Sequence, residues 1–315
     1  MTRFLGIDIG FGYTKAHFGI QDADGNDSVV SFRTVVTNAI EAGGFSPHSC
    51  IEVDGNKFYA GPDVSGEDPY YDPRNSEFLG SAHWTALLVA VIRACNFNTY
   101  DSTIVLGIPA AQFSKKKSAE LIHALKQKCI TINGTRFDLG STEIYFVPQG
   151  FGIYLKYVSD NSTNFKSLRF AVVDIGFHTL DLITMNNGKF VNTHVKTYPL
   201  GISVLLDDID NEFNRKYLRP IGRDRAMSFL GNREVQWSGE VFELDIDEIT
   251  KNYSSRVAAL INNYMEGQVM DLGIAGCGGV HVLRKVMKLK KKLYTVASPE
   301  NANAIGYWIY GTQYK

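Results

Sequence analysis

Apolar and polar positions fall into two runs of the same design. Residues 4–9 form an apolar strand carrying one carboxylate, Asp8. Gly10, Phe11 and Gly12 then turn the chain, and Thr14, Ala16, Phe18 and Ile20 continue at period two, the signature of a hairpin. Residues 170–182 repeat the order: an apolar strand to Asp174, then Ile175, Gly176, a turn through Phe177 and His178, and Thr179 opening the return strand to Asp181 and Leu182. The two aspartates stand 166 residues apart. One Asp-Ile-Gly after a strand is also what ordinary turn chemistry produces. Two copies, each after a strand, point to a duplicated organisation.

Around these runs the pattern predicts further elements. The first hairpin extends into an antiparallel meander through a turn at residues 22–26 and a strand at 29–36. Residues 37–75 are poorer in apolar positions, with short strands at 50–53 and 57–60, and form a small inserted lobe. Helical periodicity covers 76–97, and Ser114 caps a helix running to Lys128. Strands are expected at 102–109 and 144–148, the second ending at Gln149 before a helix at 151–158. A polar linker at 160–164 precedes the second copy. After it come a strand at 189–195 following an Asn-Gly turn, a helix from 200 to 217, a second lobe at 218–247, a helix at 249–267, a glycine turn at 276–279 between strand and helix, and a closing helix near 299–310.

These elements place the chain in the α/β class, as two similar domains, each a mixed β-sheet flanked by helices. Domain I spans 1–163 with its lobe at about 37–75 and is completed by a C-terminal helix at 298–315. Domain II spans 164–297 with its lobe at about 218–247.

Composition narrows the function. At 44% hydrophobic and 21% charged, the 315 residues have the balance of a globular chain rather than a disordered one. A net charge of -1 offers no global basic field for nucleic acid. The longest apolar run, 84–92, is far short of the ~20 residues that cross a bilayer, and no secretory leader pattern opens the sequence. Four cysteines, at 50, 95, 129 and 277, without CxxC spacing, suit a reducing cytoplasm.

Chemistry concentrates at the turns. Glycine lets main-chain N–H groups approach an anion, and a carboxylate beyond them can hold a hydrated cation, so two such loops suit a metal-bound polyphosphate. The turn through Gly276, Cys277, Gly278 and Gly279 suits close approach by a ligand as well as an ordinary strand-to-helix connection. Lys115, Lys116 and Lys117 in a first helical turn oppose the helix dipole, which leaves either a solvated face or a contact with an acidic partner.

In these motifs the chain resembles the actin-fold ATPases, the group that includes actin, the 70-kDa heat-shock chaperones and the sugar kinases. Five motifs stand in the family order: phosphate 1 at 8–15, connect 1 at 147–154, phosphate 2 at 174–181, adenosine at 273–279 and connect 2 at 302–311. Spacing and lobe size are most similar to the bacterial plasmid-segregation actins of the ParM or StbA type. The resemblance implies a nucleotide cleft between the domains, binding ATP or GTP with Mg²⁺. Gly10, Phe11, Gly12, Tyr13, Thr14 and Lys15 would serve the phosphates from one loop, and Gly176, Phe177, His178, Thr179 and Asp181 from the other, with Gly201 close behind. Gly276, Cys277, Gly278 and Gly279 would carry adenine and ribose. Asp8 and Asp174 would bind magnesium largely through water, and Gln149 would orient the attacking water. Phe177 and His178 depart from the small residues usual after that glycine.

The implied function is a cytoplasmic filament that hydrolyses nucleotide slowly and moves plasmid DNA or positions a cellular structure through an adaptor, without inserting into a membrane. A small-molecule kinase and a non-motile scaffold of the same fold are the alternatives. Lys115, Lys116, Lys117 and the basic run at 288–292 are expected on outer surfaces, facing acids such as Asp207, Asp208, Asp210 and Glu212, or those at 240–248, of a neighbouring copy.

Overall fold

A computed structural model describes residues 3–21, 27–39, 49–62, 64, 77–161, 168–283 and 292–314. The expected turn at 22–26, the linker at 162–164, much of the first lobe and the basic residues 288–291 lie outside the described residues. Contacts divide the chain into two compact units, Met1–Ser162 with Asn301–Lys315, and Thr163–Glu300.

The first unit opens with β1 (Arg3–Ile9), β2 (Tyr13–Gln21) and β3 (Asp27–Arg33), then β4 (Val36–Asn38), β5 (Ile51–Val53) and β6 (Asn56–Ala60). Helix α1 (Ala82–Ala94), strand β7 (Ser102–Ile108), helix α2 (Lys115–Gln127), the short β8 (Ile130–Ile132) and β9 (Thr135–Arg136), β10 (Glu143–Pro148) and helix α3 (Phe151–Asn161) follow. The main sheet runs β10-β7-β1-β2-β3, parallel across its first three strands and antiparallel across the rest. From Leu5 to Ile9, β1 is buried on both faces, which explains its almost unbroken apolar run. Helix α1 is shorter than its periodicity suggests: Gly80, at φ +82°, and the Ser81 cap, whose side chain accepts the Trp84 N–H, delay its start to Ala82. Residues 84–92 of this helix are all buried.

A second sheet, β4-β6-β5-β8-β9, forms the lobe. Its last two strands come from residues 130–136, so the lobe is not confined to 37–75. Val53 pairs with Ile130 across 77 positions, too far apart for turn chemistry to announce. Ser114 caps α2 as expected, accepting the Lys117 N–H at 3.0 Å, and Lys115 and Lys116 are exposed.

The second unit contains β11 (Arg169–Ile175), β12 (Leu180–Asn186), β13 (Lys189–Phe190), β14 (Lys196–Tyr198), helices α4 (Ile202–Tyr217) and α5 (Arg223–Asn232), and the hairpin β15 (Glu234–Trp237) with β16 (Glu240–Glu243). Helix α6 (Asp247–Gly267), β17 (Leu272–Gly276), helix α7 (Gly279–Leu283) and β18 (Leu293–Thr295) complete it. Its sheet, β13-β12-β11-β17-β18 with β14 also on β12, repeats the plan of the first: two parallel steps on one side of the central strand and antiparallel neighbours on the other. The strand expected at 189–195 is interrupted. Only β13 forms within it; a 3₁₀ turn at Asn192–His194, with the Val195 N–H closing onto Asn192, separates β13 from β14, which begins at Lys196.

Helix α8 (Ala302–Tyr314) returns to the first unit and packs on β1, β2, β7 and α3. It lies with its backbone against its neighbours. A Cβ on Gly306 would overlap the carbonyl of Gly152, a Cβ on Gly6 would overlap that of Ala304, and one on Gly152 would lie 2.5 Å from the Asn303 oxygen.

Three helices of the second unit end unusually. Leu218 after α4, Arg233 after α5 and Val269 after α6 adopt left-handed φ of 55°, 56° and 51°, a conformation that costs an L-residue ~1–2 kcal/mol and for which glycine is the ordinary choice.

Candidate functional site

In the first unit, β1 delivers Asp8 to the loop directly across from Lys15 on β2. The loop closes on itself, the Gly10 N–H donating to the Tyr13 carbonyl at 3.1 Å. Thr34, just past β3, braces it. Its hydroxyl donates to the Gly10 carbonyl at 2.7 Å and lies 3.0 Å from the buried Thr14 hydroxyl, while its N–H donates to Gly12 at 3.0 Å. No local pattern marks Thr34, because its partners lie 20 to 24 residues upstream. The Phe11 ring packs into the core beside Phe78, and Tyr13 is 37% exposed, with the Arg33 guanidinium over its ring.

Asp8 is 5% exposed. Burial pushes its carboxyl above the usual range, and the Lys15 charge and a hydrogen bond from Gln149 offset this only in part. That bond runs from Gln149 Nε2 to Asp8 Oδ1 at 3.4 Å. Gln149 sits at the end of β10, its N–H on the Ile108 carbonyl at 2.7 Å. Gly150 follows at φ +83°, its N–H held by Asn303 Oδ1 at 3.1 Å. The ends of β1 and β10 therefore bring a buried carboxylate and a side-chain amide together.

The loop of the second unit has the same construction. Gly176 donates to the Thr179 carbonyl at 2.9 Å, and in the register Asp174 and Asp181 stand where Asp8 and Lys15 stand in the first. Phe177 matches Phe11 and likewise packs its ring against the core, so its bulk is directed away from the loop's main chain. The hydroxyls of Thr179 and Thr197 donate to Asp181 at 2.7 and 2.5 Å. Desolvation raises the Asp181 carboxyl, and the Thr197 and Thr179 hydrogen bonds lower it.

Helix α4 is fastened to this loop. The N–H groups of Gly201, Ile202 and Ser203 donate to the carbonyls of His178, Gly176 and Phe177 at 3.0, 3.1 and 2.7 Å, and His178 Nδ1 lies 3.0 Å from Ser203 Oγ. A Cβ on Gly201 would lie 2.5 Å from the Phe177 oxygen. Gly201 thus makes its close approach to the loop backbone, and Ser203, which sequence reasoning passed over, orients the His178 ring.

Gly276 on β17 pairs with Asp174, so the glycine turn stands beside the second loop at the carboxyl ends of adjacent parallel strands, the end of an α/β sheet where ligands bind. Cys277 is buried at φ +67°, its N–H on the Pro299 carbonyl at 2.6 Å. Gly279 packs on Ile175, where a Cβ would lie 2.7 Å from its oxygen, whereas a Cβ on Gly278 would meet open space. Among the described residues no three metal-ligating side chains cluster.

Residues 6–152 match the family model of the actin like proteins N terminal domain. The archaeal actin homologue Ta0583 superposes with a TM-score of 0.79 at 19% identity, covering 99% of this chain and 100% of that one, and its complex with ADP gives 0.76 at 19%, with the same coverage. A subunit from the 15-stranded ParM filament of Clostridium botulinum gives 0.75 at 19%, covering 99% of each chain. No curated protein matches. The chain has the actin fold.

Proposed function

We propose that this actin-like chain is a filament-forming protein that binds and slowly hydrolyses ATP or GTP in the cytoplasm, and that its polymer moves plasmid DNA or positions a cellular structure through an adaptor. The observation that carries this reading is the pair of matched hairpin loops, each ending a buried strand on an aspartate, with Gln149 hydrogen-bonded to the first. It is supported by likeness to a protein solved with ADP and to another solved as a filament. No helix among the described residues is long and apolar enough to cross a membrane.

In this reading the main chain of the Gly10–Tyr13 loop and of the Gly176–Thr179 loop holds the nucleotide phosphates. Lys15 adds a point charge. Asp8 fits a hydrated cation: it is a buried carboxylate incompletely compensated by Lys15 and Gln149. Asp174 is the matching carboxylate of the second loop. Magnesium keeps most of its waters and so asks for few protein ligands. Bound there, the ion would neutralise developing phosphate charge. Gln149 orients the attacking water without removing its proton, because an amide is no base, so turnover is slow. The Gly276–Gly279 turn carries the nucleoside, with Gly278 offering the open main chain.

Pelleting and electron microscopy with ATP, GTP, ADP and a non-hydrolysable analogue test the proposal. Filaments are expected with triphosphate and analogue, and fewer with diphosphate. Gln149→Ala is expected to slow phosphate release by roughly tenfold to a hundredfold while filaments form and persist longer. A protein that stays monomeric with every nucleotide yet phosphorylates a small molecule is a kinase instead.

A further inference from the structure

We infer that Gly107 is a positioning residue for Gln149: the space left by its missing side chain is the passage through which Gln149 reaches Asp8. The inference rests on the water-orienting role read for Gln149 above.

In the main sheet of the first unit, β7 separates β10 from β1. Neighbouring strands stand about 4.8 Å apart, so the strands that deliver Gln149 and Asp8 are about 10 Å apart, and the two side chains meet only by leaning over β7. The parallel register pairs Val147 with Gly107 and Ile7 with Leu106, which sets Gly107 in the gap between the end of β10 and Asp8. Here the bond from Gln149 Nε2 to Asp8 Oδ1 crosses. A Cβ on Gly107 would lie 2.9 Å from Gln149 Cγ, against the middle of the side chain that makes the crossing. The backbone does not ask for glycine, because Gly107 lies outside the left-handed region. Glycine inside a strand weakens it and marks a place where another group comes close.

The opposite wall of the passage is Tyr307 on α8. This residue is fully buried, and its ring packs on Val105 and Val147 and lies close to Gly152. Its hydroxyl would lie 2.4 Å from a Cβ on Gly107, and the ring carbon bearing that hydroxyl 3.0 Å. A ring held on these sides has little room to retreat, whereas a glutamine side chain can rotate about its own bonds. Gln149 is therefore the group that gives way to any side chain at position 107, and its contact with Asp8 is what it loses. Orientation goes with reach. An ionised carboxylate only accepts, so the bond to Asp8 takes the amide N–H and leaves Gln149 Oε1 as the end that accepts a hydrogen from water.

Gly107→Ala tests this. Phosphate release is expected to slow at least about tenfold at unchanged nucleotide affinity, because a catalytic group displaced by about an ångström loses that much or more. Gly107→Ala combined with Gln149→Ala should be no slower than Gln149→Ala alone, since Gly107 acts through the side chain already removed; a packing role would add its own loss. In a crystal structure of the nucleotide-free Gly107→Ala variant, Gln149 Nε2 is expected beyond hydrogen-bonding distance of Asp8. Adding Tyr307→Phe to Gly107→Ala removes the closest collision, so melting temperature should recover while turnover stays low. Turnover that recovers together with stability, a Gly107→Ala and Gln149→Ala pair slower than Gln149→Ala alone, or Gln149 still bonded to Asp8 in the folded variant overturns the role of Gly107 and leaves the hydrolysis reading standing. An unmodified protein that hydrolyses no nucleotide, or Gln149→Ala with undiminished turnover, removes the role of Gln149 and this inference with it.

Discussion

Asp8→Asn is expected to make the nucleotide-free protein more stable near neutral pH and, in the same molecule, to lower magnesium-dependent nucleotide affinity by at least about a hundredfold. The stability half follows from linkage. Burial raises the folded-state pKa of Asp8 above the ordinary 3.8, so the folded protein holds this proton more tightly than the unfolded chain does. The stabilisation from this group is complete below 3.8 and is lost as pH climbs through the raised value, and at neutral pH the ionised carboxylate opposes folding. Asparagine removes that opposition. The melting-temperature advantage of the variant should therefore shrink as the medium is acidified and vanish where Asp8 is protonated in both states. The affinity half follows from the missing charge, and titration calorimetry with and without magnesium measures it. Equal melting curves at pH 7, or undiminished affinity in a folded variant, would reject the corresponding half.

Gly306→Val is expected to destabilise the first unit by roughly 3 kcal/mol or more, near the upper end for overpacking. At this crossing two glycines meet: the new side chain would run into the Gly152 carbonyl, and both collision partners are main chain, which cannot swing aside. Separating α8 from α3 would also draw Asn303 away from the Gly150 N–H, beside Gln149, so phosphate release should fall with stability. Gly311→Ala on the same helix is the control. Its Cβ would lie 3.1 Å from the Phe4 side chain, which can yield, and denaturant midpoints should separate the two variants clearly. Equal midpoints would mean that the crossing is softer than its geometry indicates.

Much of this was legible in the sequence where the signal is local. The Asp8 and Asp174 loops, the Ser114 cap and the Gly276–Gly279 turn each declare themselves within a few residues, and the structure forms a turn or cap at every one. What escaped depends on partners distant in sequence. Thr34 braces Gly10 across 24 positions, and β8 pairs with β5, which precedes it by more than 70 residues. Phe177 departs from the usual small residue in its bulk, which is visible in sequence, whereas its direction is not. Its match with Phe11 in register, and the core each ring enters, supply that direction. Gly201 was placed by its neighbourhood in the pattern, whereas its physical reason is the loop carbonyls that α4 caps.

The return of α8 to the first unit also sets an order of events during synthesis. The second unit is continuous, so its core can close once its own residues have cleared the ribosome, without waiting for any later segment. The first unit was translated earlier yet must wait. Gly6 on β1 and Gly152 on α3 are shaped to receive a helix that is translated after the whole of the second unit. Until it arrives, the face that Tyr307 will cover at Val105 and Val147 stays open to water and to chaperones. The first unit thus completes its fold only with a segment made after the second, and the Asp8 loop with its Gln149 partner matures when α8 docks.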